Sequence, residues 1–312
     1  MSASRPRTVF VTGAAGCLGT ELVKVLVARG WAVIGLGRSA ASLQQIRRAG
    51  ATAVKGDLLV PGQWQDEAAA DWVFHIPPRP PVAAPGSRGA ARAAHEAAMM
   101  DMHLLDAVAA GATRRIVYVA DARVYAPTGS RPVTEDEVPA LPAPRRRLGS
   151  VLDRIDGHLF AGLPIVTALP GWIYGNSTSF RVRVAEPVLA GRRILQVGKT
   201  GPWVSPIHVH DCARALVHLA EWGEVGRRYF IAISEPVQAH ELLRAFARAA
   251  HRPLRVWRVP AAAAAWLASR SPVDGVHGDL AISNIRLRAT GFRFRYPTLE
   301  QGFRQILGGR HV

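Results

Sequence analysis

The stretch Thr12-Gly13-Ala14-Ala15-Gly16-Cys17-Leu18-Gly19 limits what this chain can fold into more than any other. It sits between the apolar run Val9-Phe10-Val11 and the helical pattern Leu18, Leu22, Val25, Leu26. A strand, a glycine-rich turn and a helix in that order predict a dinucleotide site. Gly13 permits a tight turn, Gly16 lets backbone N–H groups approach a pyrophosphate, and Gly19 lets the helix pack closely on the strand. The helix N-terminus then turns unpaired N–H groups and a partial positive charge toward phosphates. Thr12, Cys17 and Leu18 share the loop and are expected to contact the cofactor too. Cys17 stands where a helix N-terminus lowers a thiol pKa, although a small packing residue is the simpler reading. With 29 glycines in the chain a chance match is easy; the flanking strand and helix single this one out.

The same alternation continues. Gly30 ends the first helix, residues 31–37 read as the second strand, and Arg38-Ser39 follow it. An acidic residue there would bond a ribose 2′-OH, whereas an arginine accommodates a 2′-phosphate, so Arg38 favours NADP(H) over NAD(H); a solvated strand-end arginine is the alternative. A helix through Leu43 and Ile46 stops at Gly50, and a third strand leads into Asp57, placed either to accept from an adenine amino group or to cap the next helix. The fourth strand, 71–76, runs into Pro77-Pro78-Arg79-Pro80-Pro81, a stiff loop poor in backbone donors.

A helix over 91–110 sets Ala94, Ala98, Met102, Leu105 and Ala109 on one face, with its Met residues read as core. The fifth strand, 115–120, ends at Asp121. A Pro-rich loop over 127–144, a helix marked by Val151, Leu152, Ile155 and Leu159, and a sixth strand over 164–169 follow. The fold class is therefore α/β, a doubly wound parallel Rossmann sheet. Beyond Gly171 the rhythm changes: residues 205–211 lead into a helix through Ala220, 228–233 form a strand, and helices are expected at 239–250, 260–269 and near 299–307. These predict a dinucleotide-binding domain over 1–172, with 205–233 returning to it. A smaller C-terminal α/β substrate lobe takes 173–204 and 234–312.

Composition narrows the partners. The net charge of +16 comes from 39 basic and 23 acidic residues, and lysine contributes only Lys24, Lys55 and Lys199. Such a surplus suits anionic ligands or an acidic carrier protein. The arginines are dispersed, with Arg145-Arg146-Arg147 the one tight cluster, and no aromatic-interleaved basic motif points to nucleic acid. No apolar run reaches the roughly 18 residues of a membrane span and residues 1–8 lack a signal-peptide core, so a cytoplasmic location is expected. Cys17 and Cys212 make neither a disulfide framework nor a metal site.

Taken in order, several segments resemble the extended short-chain dehydrogenase/reductases of the epimerase/dehydratase type over nearly the whole chain. These are the glycine stretch, Gly56-Asp57-Leu58, Asp71-Trp-Val-Phe-His75, Ile116-Val-Tyr-Val-Ala-Asp-Ala-Arg-Val-Tyr125, residues 162–175, Pro206-Ile-His-Val-His-Asp211 and residues 291–302. The resemblance implies a nicotinamide cofactor, a small-molecule substrate, cofactor contacts from Leu58, Pro77, Pro170 and Ile173, and a homodimer formed through two helices of the cofactor domain.

The departures bear on chemistry. The family's reductive machinery is a Tyr with a Lys four residues later, and a Ser or Thr at the end of the fifth strand; the Lys lowers the Tyr pKa and the Tyr passes the proton. Here Asp121 takes the hydroxyl position, no tyrosine lies between Tyr125 and Tyr174, and no lysine between Lys55 and Lys199. The remaining candidates are Asp121 as a proton donor kept neutral by burial, Arg147 for an anionic group, and His75 at a strand end. His208 is a candidate of the same kind as His75, and Tyr174 could hydrogen-bond substrate; for all three a structural role is the simpler reading. Three functions fit: an NADPH-dependent reductase of a small electrophilic, cyclic or aromatic metabolite from specialised metabolism; a cofactor-binding sensor without turnover; and a non-redox cyclase, isomerase or dehydratase.

Overall fold

The computed structural model describes residues 7–77, 88–126, 128–139, 146–260 and 280–308. Strand β1 (Thr8–Val11) has Val9, Phe10 and Val11 fully buried, the mark of a strand covered on both faces inside a parallel sheet. Its neighbours are β2 (Ala32–Gly37) and β4 (Trp72–His75). With β3 (Thr52–Lys55), β5 (Arg115–Val119) and the strands Ile165–Pro170 and Arg228–Ile231, they form a seven-stranded parallel sheet. Its order is Arg228–Ile231, Ile165–Pro170, β5, β4, β1, β2, β3. The chain winds from β1 outward through β2 and β3, then returns to β4 on the other side. The order thus reverses between β1 and β4, where doubly wound sheets place their ligands.

The helices that connect these strands are α1 (Cys17–Ala28), α2 (Ala40–Arg48), the short α3 (Trp64–Glu67), α4 (Arg88–Ala109) and α5 (Arg146–Phe160). Ser39 and Ser42 form a reciprocal cap on α2, which holds the backbone just beyond Arg38. On α4 the buried stripe is Met100, Asp101, Leu104, Leu105 and Val108, while Met102 is 40 % exposed and Ala109 is exposed. The expected face was therefore turned: in an alanine-rich helix several stripes look equally apolar, and packing chooses one.

The chain forms two units, one drawn from Met1–Asp121, Ala143–Leu169 and Ala213–Tyr229, the other from Ala122–Pro142, Pro170–Cys212 and Phe230–Val312. The second is built from two-stranded ladders: Trp172–Tyr174 with Pro206–His208, Trp203–Val204 with Val237–Gln238, and Ile194–Val197 with Val256–Val259. Its core gathers Tyr174, Phe180, Phe246 and Phe303, all fully buried, beside the helices Ala239–Ala249 and Leu299–Gly308. The stretch expected as a Pro-rich loop holds the strand Gly129–Val133, paired in parallel with Leu280–Ile282. A partner so distant in sequence leaves no local trace, and exposed Ser130, Arg131 and Pro132 read as loop. The alanine-rich helix expected over 260–269 lies outside the described residues from 261 on.

Candidate functional site

The turn after β1 is closed by its own backbone. Thr12 N–H donates to the Phe74 carbonyl at 3.0 Å, prolonging the β1–β4 ladder, and Gly16 N–H donates to the Gly13 carbonyl at 2.8 Å. Gly13 has φ +66°, and a Cβ there would stand 2.4 Å from the Ile76 carbonyl oxygen; a Cβ on Gly19 would stand 2.1 Å from the Gly13 oxygen. A side chain has no room at either position. Gly16 precedes α1 in an extended conformation, no side chain caps the helix, and its first turn holds no acidic residue. The partial positive charge at the start of α1 is left for an anion at the switch point of the sheet, so the residues present fit the phosphates of a dinucleotide.

Leu18 is buried in the packing of α1. Burial, with Glu21 nearby, pushes the Cys17 thiol up to about 11, so it stays protonated at neutral pH, as suits a packing residue. Arg38 follows β2 with its side chain 65 % exposed, 3.7 Å from the Asp57 carboxylate. An ion pair this open is weak and screened, which leaves the guanidinium able to meet another anion. The other carboxylate oxygen of Asp57 accepts Leu59 N–H at 3.0 Å, and α3 starts only at Trp64 after Gln63. Asp57 therefore shapes a turn, and the helix-cap alternative does not hold. Leu58 is buried, and its carbonyl accepts from His103 Nδ1 at 2.8 Å.

His75 is fully buried with both ring nitrogens engaged, Nδ1 with Thr12 Oγ1 at 2.8 Å and Nε2 with Asp101 Oδ1 at 3.1 Å. Tyr118 donates its hydroxyl to the same Asp101 oxygen at 2.8 Å. Arg154 donates Nε and Nη2 to the other oxygen at 3.2 and 2.6 Å. Burial pushes the Asp101 carboxyl up, but the hydrogen bonds from His75, Arg154 and Tyr118 outweigh it and hold the group below its ordinary value. Burial and the adjacent carboxylate push the Tyr118 phenol well up, so it remains a donor. Sequence reasoning missed Asp101, Tyr118 and Arg154. The available signal was a carboxylate on the apolar side of one helix, between Met100 and Leu104, and an arginine beside Leu152 and Ile155 on another.

The other candidates are scattered. Asp121 is half-buried two residues beyond the end of β5. Arg147 falls in the first turn of α5, rather than in a loop, and its side chain lies outside the described residues. Pro77 follows Ile76 half-buried; positions 78–81 of its stiff loop are outside the described residues. Pro170 and Ile173 belong to the second unit, Pro170 buried at a strand end and Ile173 paired with Ile207. His208 accepts His210 N–H at Nδ1 and donates from Nε2 to Gln305 Oε1 at 3.0 Å, a structural use of both nitrogens. Tyr174 is fully buried against Phe180 and Phe303. Among the described residues no cluster of His, Cys, Asp and Glu could hold a metal ion, and no helix is long and apolar enough to cross a membrane.

The sequence model of the NAD dependent epimerase/dehydratase family matches residues 9–232. A protein of Stigmatella aurantiaca, 4-hydroxy-2-methyl-3-oxo-4-farnesyl-3,4-dihydroquinoline-1-oxide ketoreductase, is 27 % identical over 248 residues, 75 % of this chain and 70 % of that one. Among solved structures, a mutant UDP-glucuronic acid 4-epimerase from Bacillus cereus, in complex with UDP-4-deoxy-4-fluoro-glucuronic acid and NAD, superposes with a TM-score of 0.79. It is 17 % identical, over 96 % of this chain and 99 % of that one. The dTDP-glucose 4,6-dehydratase from Bacillus anthracis in complex with NAD gives 0.77 at 16 % identity, over 97 % and 96 %. These two likenesses concern the fold alone.

Proposed function

Because this chain belongs to the NAD-dependent epimerase/dehydratase family, we propose that it is an NADPH-dependent reductase of a small electrophilic ketone, cyclic or aromatic, with a proton donor other than tyrosine. The observation that carries this reading is the likeness, over three quarters of the chain, to a protein named as a ketoreductase of a 3-oxo-dihydroquinoline. A quinone-like ring, which gains aromatic character on reduction, accepts hydride with less acid assistance than a simple ketone. That suits a chain without the Tyr–Lys pair. When bound, the reduced nicotinamide supplies hydride to the carbonyl carbon while the oxygen takes one proton, so that ketone, NADPH and H⁺ give alcohol and NADP⁺.

The chain's own groups do the rest. In this reading the glycine turn and the start of α1 hold the pyrophosphate, Asp57 and Leu58 lie on the adenine side, and Pro77 lies at the nicotinamide end. Asp121 gives the proton, Arg147 holds an anionic group, and the second unit selects the substrate. Support for the phosphate-bearing cofactor comes from residues 38 and 39, an arginine and a serine where a carboxylate would favour NAD(H). Arg38→Ala is expected to weaken NADPH binding about tenfold and NADH binding less than about twofold in fluorescence titrations. Equal losses would remove Arg38 from the 2′-phosphate.

The deciding experiment offers C4-deuterated NADPH with ring ketones of the dihydroquinoline type. Deuterium is expected on the carbinol carbon of the product, and Asp121→Asn is expected to slow its appearance by about 100-fold with NADPH affinity kept. A product without deuterium would sink the redox reading. Saturable NADPH binding with no product from any such ketone would favour a sensor, and product from nucleotide-stripped protein a cyclase, isomerase or dehydratase.

A further inference from the structure

The Thr12 hydroxyl carries one proton, and its oxygen already accepts the Ile76 N–H at 3.1 Å. In the neutral ring the Asp101 carboxylate, which only accepts, fixes the ring proton at Nε2, so Nδ1 accepts the Thr12 hydroxyl proton at 2.8 Å. The donors therefore run in one sense, from Ile76 N–H through Thr12 and His75 to Asp101, each bond polarising the next. Tyr118 and the two Arg154 contacts complete four hydrogen bonds on Asp101. Arg154 on α5, with a side chain 25 % exposed, supplies the compensating charge.

The other end of this series is the glycine turn. Ile76 presents its N–H to Thr12 and its carbonyl to Gly13, where a Cβ would come within 2.4 Å. The place of Ile76 sets the space at Gly13, and the Thr12 hydroxyl holds Ile76 in that place. Resting on the dinucleotide reading above, we propose that Arg154, Asp101 and His75 are positioning residues that hold the glycine turn in its nucleotide-binding shape through Thr12. By this route α5 governs cofactor affinity.

A buried polar cluster that served stability alone would change melting temperature and leave the affinity of the folded protein as it was. The test is NADPH titration of the full chain, well below each variant's melting temperature. Thr12→Val and Arg154→Met are expected to raise the NADPH dissociation constant about tenfold, and Thr12→Ser, which keeps the hydroxyl, to stay within about twofold of wild type. Arg154→Met removes a partly exposed group and keeps the proposal testable if Thr12→Val fails to fold. Phe303→Leu, in the aromatic core of the second unit, serves as a destabilised control expected to bind NADPH as wild type does. Wild-type affinity in both Thr12→Val and Arg154→Met, or an equal loss in Phe303→Leu, would overturn the positioning role while the dinucleotide reading stands. A wild-type chain that binds no dinucleotide would overturn both.

Discussion

Gly19→Ala is expected to raise the NADPH dissociation constant at least ~100-fold and to cost about 3 kcal/mol of stability. The new Cβ would lie 2.1 Å from the Gly13 carbonyl oxygen and 2.8 Å from Ala14 Cα. Both are backbone atoms, so no side chain can swing aside. Relief requires α1 to lift from the turn or the Gly13 carbonyl to rotate away, and rotation breaks the Gly16 N–H bond to that carbonyl. Either movement displaces the N–H groups that the proposed pyrophosphate needs. A control is available in α5, where a Cβ on Gly157 meets nothing within 4 Å and no positive φ is involved. Gly157→Ala should therefore gain about 0.5–1 kcal/mol with NADPH affinity unchanged. Thermal melts and fluorescence titrations read both outcomes, and wild-type binding by Gly19→Ala would show that this turn holds no phosphate.

Asp101→Asn is expected to cost about 3 kcal/mol, roughly 5 °C in melting temperature. The substitution puts an amide NH₂ among donors and removes the carboxylate that faces the Arg154 charge. Because the penalty comes from the half-broken pair, the double variant Asp101→Leu/Arg154→Met should recover at least about half of it. Acid stability provides a separate check. The folded-state pKa of Asp101 is depressed, so its contribution is complete above the unfolded value of about 4 and is lost as pH falls through the lower folded value. Wild-type stability should accordingly fall more steeply below about pH 4 than that of Asp101→Asn. Parallel acid limbs in the two proteins would mean that Asp101 is not held ionised.

Much of the first unit was legible because its signals are local. Strand, glycine turn and helix occupy consecutive residues, Gly30 and Gly50 mark helix ends by their positive φ, and Arg38 follows its strand directly. The second unit was less legible because its ladders join distant segments. Gly129–Val133 finds its partner at Leu280–Ile282, and nothing within either segment announces the other. The stripe of α4 was misjudged for a related reason: alanine and methionine make several faces equally apolar, and only packing in the assembled unit selects the one that carries Asp101 with Met100, Leu104, Leu105 and Val108.

The glycine turn and the loss of the Tyr–Lys pair could be read from residue order alone, since a turn obeys the steric limits of its own few residues and an absent side chain is absent in any fold. The commitment of Thr12 and His75 to Asp101 could not. Those groups come from the turn that ends β1, from β4 and from α4, and two more elements, β5 and α5, supply Tyr118 and Arg154. Hydrogen bonds between side chains depend on distances of about 3 Å, which exist only once the sheet has assembled and the helices have settled on it. What the turn is made of is written in eight adjacent residues; what holds it in place is decided by the packing of five elements.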